Sequence, residues 1–406
     1  MSAQMNVPKL RFPEFSMEWE EKRLGEVTTY VDYRGRAPTK TEEGHFLVTA
    51  KNIKKGFIDY ECSKEYVAEN DYLNVMSKGL PEIGDVLFTT EAPMGNVAQV
   101  DDKNIALAQR VIKFRSKKML SNLYLLHYML SAIFQKSISE KSIGTTVQGI
   151  SGKELHRIRL AFPSLHEQQK IASFLSAVDT KINQLTHKKE LIEQYKKGVM
   201  QKIFSQELRF KTDDGSEFPE WEEKKLGEIS NVKDGTHDSP KYTNVGYPLL
   251  TSKNLLTNGK LDFENINLIS EEDYISINKR SKVDIGDILF GMIGTIGNPV
   301  LIQEDGFAIK NVALIKEKDT LLNIFLIHYL KSIHLLRQFY QQNTGGTQKF
   351  IALGVIRDFL ISVPCIDEQT KIADFLSAID SKIDLVTKQL NEAKNFKKGL
   401  LQQMFV

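Results

Sequence analysis

The sequence predicts an α+β protein of two similar globular domains, each followed by a long helix, with the helices antiparallel as a coiled coil and the halves related by internal pseudo-two-fold symmetry. Three observations carry this. The chain repeats itself head to tail at an offset of about 200 residues, since Trp19-Glu20-Glu21-Lys22-Arg23-Leu24-Gly25-Glu26-Val27 returns as Trp221-Glu222-Glu223-Lys224-Lys225-Leu226-Gly227-Glu228-Ile229. A second block, Glu167-Gln168-Gln169-Lys170-Ile171-Ala172-Ser173-Phe174-Leu175-Ser176-Ala177-Val178-Asp179, matches Glu368-Gln369-Thr370-Lys371-Ile372-Ala373-Asp374-Phe375-Leu376-Ser377-Ala378-Ile379-Asp380. Each copy then passes from short apolar runs to a long heptad seam. A period this long marks a duplicated domain with its connector, not a solenoid of short repeats.

Between the blocks the order of elements is shared. Thr49-Ala50-Lys51-Asn52-Ile53 answers Thr251-Ser252-Lys253-Asn254-Leu255, and Gly84-Asp85-Val86-Leu87-Phe88 answers Gly286-Asp287-Ile288-Leu289-Phe290. Runs such as Asp85 to Thr89 and Arg110 to Phe114 read as strands, while Asn122 to Ser137 and Leu321 to Gln341 read as helices around His127-Tyr128 and His328-Tyr329. After Pro163 the seam Ile171, Leu175, Val178, Ile182 and Leu185 appears; after Pro364 it returns as Ile372, Leu376, Ile379, Ile383, Val386 and Leu390. Each seam falters only at Lys189, Lys196 and Lys397. The expected boundaries are globular domains at 1–162 and 208–362 and long helices at 163–207 and 363–406. Roughly 40 helical residues make a rod of about 60 Å. The first helix is therefore expected to deliver the chain to the second domain and an antiparallel second helix to return it, with Ile171 to Leu185 pairing with Ile372 to Leu390.

Composition excludes several classes. With 406 residues and 41% hydrophobic content the chain can bury two cores. No run approaches the roughly 18 to 20 apolar residues of a membrane span, and Met1-Ser2-Ala3-Gln4-Met5 lacks a signal peptide's apolar segment, so a soluble cytoplasmic protein without a membrane partner is expected. Cys62 and Cys365 read as reduced thiols, and the eight histidines show no metal spacing. A formal net charge of +2 gives no argument for nucleic acid by itself; any polyanion would be held by local patches.

The copies diverge most at polar loops. Asp32-Tyr33-Arg34-Gly35-Arg36-Ala37-Pro38-Thr39-Lys40 faces Asp234-Gly235-Thr236-His237-Asp238-Ser239-Pro240-Lys241, and Gly144-Thr145-Thr146-Val147-Gln148-Gly149 faces Gly345-Gly346-Thr347-Gln348-Lys349-Phe350. A kept scaffold with varied tips rich in Arg, Lys, Thr, Gln, Asn and Gly suits base edges and phosphates, although such loops are also ordinary turns. The candidate DNA contacts are Arg34, Arg36, Lys40, Lys51, Asn52, Thr146 and Gln148 in the first copy. In the second they are His237, Lys241, Lys253, Asn254, Thr347, Gln348 and Lys349. Lys51-Asn52 and Lys253-Asn254 fit structural capping equally well. Trp19 and Trp221 read as core anchors, and His127 and His328 as packed or capping residues.

The plan Trp-Glu-Glu-Lys-(Arg/Lys)-Leu-Gly-Glu, a variable domain, then Pro-(Ser/Cys)-x-x-Glu-Gln-x-Lys-Ile-Ala-x-Phe-Leu-Ser-Ala-x-Asp, all of it twice, resembles the DNA-specificity subunit of bacterial type I restriction-modification systems. The resemblance implies that each globular domain is a target recognition domain reading one half of a bipartite, asymmetric site in double-stranded DNA. It implies that the paired helices set the unread spacer, that two methyltransferase subunits dock on them and that restriction subunits join. It also implies that this chain carries no cofactor, with S-adenosylmethionine, ATP and Mg on the partners.

No catalytic motif competes with that reading. An Asn or Asp followed by Pro-Pro-Tyr or Pro-Pro-Phe, the adenine methyltransferase signature, does not occur, and none of the 11 prolines adjoins another. Gly35-Arg36-Ala37-Pro38-Thr39-Lys40-Thr41 lacks the second glycine of a phosphate loop. Glu20-Glu21-Lys22 and Glu222-Glu223-Lys224 read as solvated charged turns before a strand. A coiled-coil adaptor, or a fused enzyme with unrecognised motifs, remains the alternative.

Overall fold

The computed structural model describes residues 7–33, 37–144, 148–342 and 350–406. The chain forms two compact units, Met1–Thr186 with Lys388–Val406, and His187–Thr387. Both cuts fall inside a long helix, at matching places of the repeat.

In unit 1 the chain runs β1 (Glu20–Arg23), a single turn α1 (Leu24–Val27), β2 (Thr28–Asp32), β3 (His45–Val48), β4 (Tyr66–Val67), a short turn α2 (Tyr72–Val75), β5 (Val86–Thr89), β6 (Val97–Gln99), β7 (Ala106–Leu107) and β8 (Val111–Ser116). Helices α3 (Asn122–Leu130), α4 (Ala132–Glu140) and α5 (Gly152–Arg157) follow, then β9 (Arg159–Phe162) and α6 (Leu165–Phe204). Among the described residues β2, β8, β5 and β6 make an antiparallel sheet in that order. Strands β4, β3 and β7 make a second sheet, with β3 and β7 parallel, and β1 pairs with β9. The main sheet is covered on both faces, which is why β5 reads as an unbroken apolar run. Because successive side chains point oppositely, Val86, Phe88, Ile112 and Phe114 join the helical core, while Leu87 and Val111 join Leu47, Val48 and Val67 beneath the second sheet.

Unit 2 repeats this with β10 (Glu222–Lys225), α7 (Leu226–Ile229), β11 (Asn231–Asp234), β12 (Tyr242–Thr243), β13 (Tyr247–Leu250), a 3-10 turn at Ser252–Asn254, β14 (Asn267–Ile269), α8 (Glu271–Ser281), β15 (Ile288–Gly291), β16 (Gly297–Leu301), β17 (Ala308–Ile309) and β18 (Val312–Lys316). It ends with α9 (Asn323–Leu330), α10 (Ile333–Gln342), α11 (Leu353–Arg357), β19 (Leu360–Val363) and α12 (Ile366–Gln403). Its main sheet is β11-β18-β15-β16 and its second β12-β14-β13-β17. Helix α8 has 11 residues where α2 has 4.

The α+β class, the two similar domains and the two long helices are present as expected. Three local expectations are corrected. Each predicted helix after the main sheet is two helices: Ser131 is extended at ψ 153° and its hydroxyl caps α4 by accepting from the Phe134 N–H. Ser332 does the same for the Leu335 N–H. The charged segments Glu20–Arg23 and Glu222–Lys225 are not turns but strands, because β9 and β19 supply antiparallel partners that keep the charges outward.

The third correction concerns the seam. In unit 1 Ile171, Ala172 and Leu175 of α6 pack with Leu400 at the far end of α12 and with Met404 and Phe405 just beyond it. In unit 2 Ile372, Ala373, Leu376 and Ile379 pack with Val199, Met200, Ile203 and Phe204. The first seam therefore meets the end of the second helix, not Ile372 to Leu390, as an antiparallel pair requires. Leu185, Val386 and Leu390 are buried, Val178 and Ile383 partly buried against these cores, and Ile182 half-buried. Two of the lysines that interrupt the seam are ion-paired across it: Lys397 to Asp179 at 2.5 Å in unit 1, and Lys196 to Asp380 at 2.5 Å in unit 2. Lys189 instead pairs with Glu193 on its own helix.

Candidate nucleic-acid interface

The described parts of the segments that differ most between the copies converge on one end of each main sheet. In unit 1 the Tyr33 N–H, opening the first variable loop, donates to the Val111 carbonyl; Glu91, after β5, bridges Gly149; and the Ile150 N–H donates to the Thr90 carbonyl. Unit 2 does likewise: Gly235 N–H to the Val312 carbonyl, Thr236 bridged to Lys310, Ile293 bridged to Phe350, and Ile351 N–H to the Met292 carbonyl. The turn with Lys51 joins through the Asn96 side chain on the Ile53 carbonyl. The turn with Lys253 joins through Ser252, whose hydroxyl donates to the Asn311 carbonyl and accepts from the Met292 and Ile293 N–H groups.

In unit 2 the loop and α8 enclose a polar cleft of about 600 Å³, lined among others by His237, Asp238, Asp273 and Arg280. Asp234, nearly buried at the end of β11, holds both cations: the His237 Nε2 at 2.8 Å and the Arg280 guanidinium. The other ring nitrogen of His237 lies 2.8 Å from Asn311 Oδ1. With an oxygen acceptor on each nitrogen the imidazolium is favoured, so the Asn311 and Asp234 contacts raise the His237 pKa above the usual histidine value. Lys310 adds a cation, donating to the Ser239 hydroxyl at 2.6 Å. Arg280 is a site residue the sequence reading omitted; its only sequence signal was the basic last turn of α8.

Of the expected contacts, Lys51, Gln148, Lys241 and Lys253 are exposed. Lys40 is exposed and pairs with Glu65 at 2.9 Å, and His237 lies in the cleft. Arg34, Arg36, Thr146, Thr347, Gln348 and Lys349 lie outside the described residues. Asn52 and Asn254 leave the contact set. Both are buried, with the side-chain oxygen accepting from Thr49 or Thr251 and the side-chain nitrogen donating to two carbonyls, Asp59 and Ser63 or Asp262 and Asn265. A fully satisfied buried amide has nothing left to offer a base.

The duplicated blocks prove to be internal fittings. The Glu167 carboxylate accepts from Arg11 at 2.7 and 2.8 Å and from the Trp19 indole at 3.3 Å, and Glu368 accepts in the same way from Arg209 and Trp221. Gln168 and Gln369 tie each long helix to the loop before α3 or α9, accepting from Ser121 or Leu322 and donating to Met119 or Thr320. His127 and His328 are buried, each with Nε2 3.2 Å from a serine hydroxyl of the adjacent long helix, Ser176 or Ser377. Among the described residues no group of three or more His, Cys, Asp or Glu could hold a metal.

Comparison with known proteins matches this architecture throughout. The family model described as the type I restriction modification DNA specificity domain matches residues 16–194 and again 219–395. The type I restriction enzyme MjaVIII specificity subunit of Methanocaldococcus jannaschii is 25% identical over 419 residues, covering 97% of this chain and 92% of that protein. The EcoBI specificity subunit of Escherichia coli is 23% identical over 329 residues, covering 74% and 68%. The S subunit of a type I restriction-modification system from M. genitalium shares the fold, with a TM-score of 0.63 at 16% identity, covering 98% of this chain and 99% of that one.

Proposed function

The chain belongs to the type I restriction-modification DNA specificity family, with two copies of the family's domain, and from that premise we propose that each unit reads one half of a bipartite, asymmetric site in double-stranded DNA. The observation that carries this is the convergence of the divergent, polar loops on one end of an otherwise shared sheet. A common scaffold with different tips gives two readers of different half-sites, unlike the palindrome of a homodimer. The bases between the half-sites go unread, and the length of α6 and α12 sets their number.

The chain is a non-catalytic subunit. It assembles with two methyltransferase subunits and with restriction subunits, and S-adenosylmethionine, ATP and Mg act on those partners. No described helix is long and apolar enough to cross a membrane, and the place of work is the cytoplasm, where the DNA is. The exposed cations Lys51, Lys241 and Lys253, with His237 and Arg280, supply phosphate and base contacts.

Exchanging residues 1–160 for the first domain of another family member, and mapping methylated sites in a host carrying the assembled complex, tests the division of labour. One half of the target is expected to change and the other to persist. A simultaneous change in both halves would refute independent reading.

A further inference from the structure

Arg110 holds a backbone conformation that its own side chain makes costly. It closes the turn between β7 and β8 at φ 77°, where a residue with a Cβ loses about 1–2 kcal/mol and glycine almost nothing. The turn imposes this, because the Arg110 carbonyl accepts from both the N–H of Thr90 at 2.9 Å and its hydroxyl at 3.2 Å. Glycine would satisfy every one of these bonds. The matching residue of the second copy, Asn311, is also left-handed at φ 54°, with its N–H on the Thr236 carbonyl and its own carbonyl accepting from Ser252. Arg110 thus keeps a side chain where the backbone favours none, whereas the second copy holds asparagine, which adopts this region readily, so the two side chains at the shared position differ.

The fold gains little from the arginine. Its guanidinium is half exposed and pairs at 2.9 Å with Glu91, itself 41% exposed, an interaction worth no more than about 1 kcal/mol. What the side chain does have is position. Glu91 bridges Gly149 of one variable loop, Thr90 accepts from Ile150, and Tyr33 of the other loop bonds the next residue, Val111. In unit 2 the Asn311 side chain touches His237 of the variable loop.

We propose that the position shared by Arg110 and Asn311 determines base specificity in each unit, and that Arg110 with Glu91 reads a G·C pair in the half-site of unit 1. The inference rests on the DNA-reading function proposed above. Arg110 would exchange the carboxylate for the O6 and N7 acceptors of guanine, and Glu91 would accept from the cytosine N4 amine. A phosphate does not suit the place, because the neighbouring carboxylate repels it.

The test compares methyltransferase complexes built on the wild-type chain, Arg110→Gly and Arg110→Ala, mapping methylated sites by sequencing. The glycine variant relieves the left-handed turn, so it is expected to be at least as heat-stable as wild type and to assemble. Both variants are expected to lose roughly 10- to 100-fold in discrimination at one G·C position of one half-site, with the other half unchanged. A wild-type bipartite consensus that both variants retain overturns this inference alone. A uniform loss across all sequences with a shallower salt dependence makes Arg110 a phosphate contact and also overturns it. A wild-type complex that methylates no bipartite site overturns the proposed function and this inference with it.

Discussion

His127 and His328 hold equivalent places in the two units, and burial pushes each down to about 3, helped by Lys397 near the first and Lys196 near the second. Asp380, 3.8 Å from His328 Nδ1, opposes this only partly. A histidine depressed in the folded state stays neutral there while the unfolded chain takes up a proton below about 6.5. Its stabilising contribution is therefore complete above that value and is lost as pH falls below it. Urea unfolding is expected to show a midpoint that drops between pH 7 and pH 5, before most carboxylates titrate, and the drop should shrink in His127→Gln and His328→Gln. A flat midpoint would mean that both rings protonate freely. On the proposed DNA face, Lys241 is exposed, so Lys241→Ala should make the salt dependence of binding by the assembled complex shallower by about one unit. An unchanged slope would remove that side chain from the contacts.

At the level of elements, the opening of each long helix is fixed by a buried carboxylate. Glu167 is 2% exposed, with Arg11 and the Trp19 indole as partners across more than a hundred residues of sequence. Glu167→Ala would leave the Arg11 charge in a largely buried place without its acid, which costs about 3–5 kcal/mol. Glu368→Ala should do the same to Arg209, which is 15% exposed. Chemical denaturation of each variant is the measurement, and a loss below about 1 kcal/mol would make these pairs mere surface salt bridges. The repeated Glu-Gln pair was visible in the sequence as a motif, but its meaning was not. Repetition marks what both units need and does not say whether the need is packing or contact. The same ambiguity hid the role of Asn52 and Asn254, whose amides are filled by carbonyls up to 11 residues away.

For the whole molecule, the unit boundaries at Thr186 and Thr387 fall at matching points of α6 and α12, so the helices can be lengthened there without disturbing either core. Inserting four residues after both positions adds about 6 Å and about 40° to each helix while nearly preserving the apolar stripe. One base pair rises about 3.4 Å and turns about 36°. The lengthened chain is therefore expected to direct methylation to the same half-sites with one or two more bases between them, and methylation at the original spacing only would show that the helices do not set the gap. The sequence by itself determined the duplication, the α+β class, the two long helices and the loops where the copies part, because repeats and heptads are local patterns that survive without coordinates. Tertiary structure alone decided how those helices pair, since an antiparallel register depends on which ends meet and not on the seam's spacing. It also decided that Arg280 joins His237 on Asp234, and that Arg110 carries a left-handed backbone, because contacts between residues some 20 to 75 positions apart leave no periodic trace in the chain.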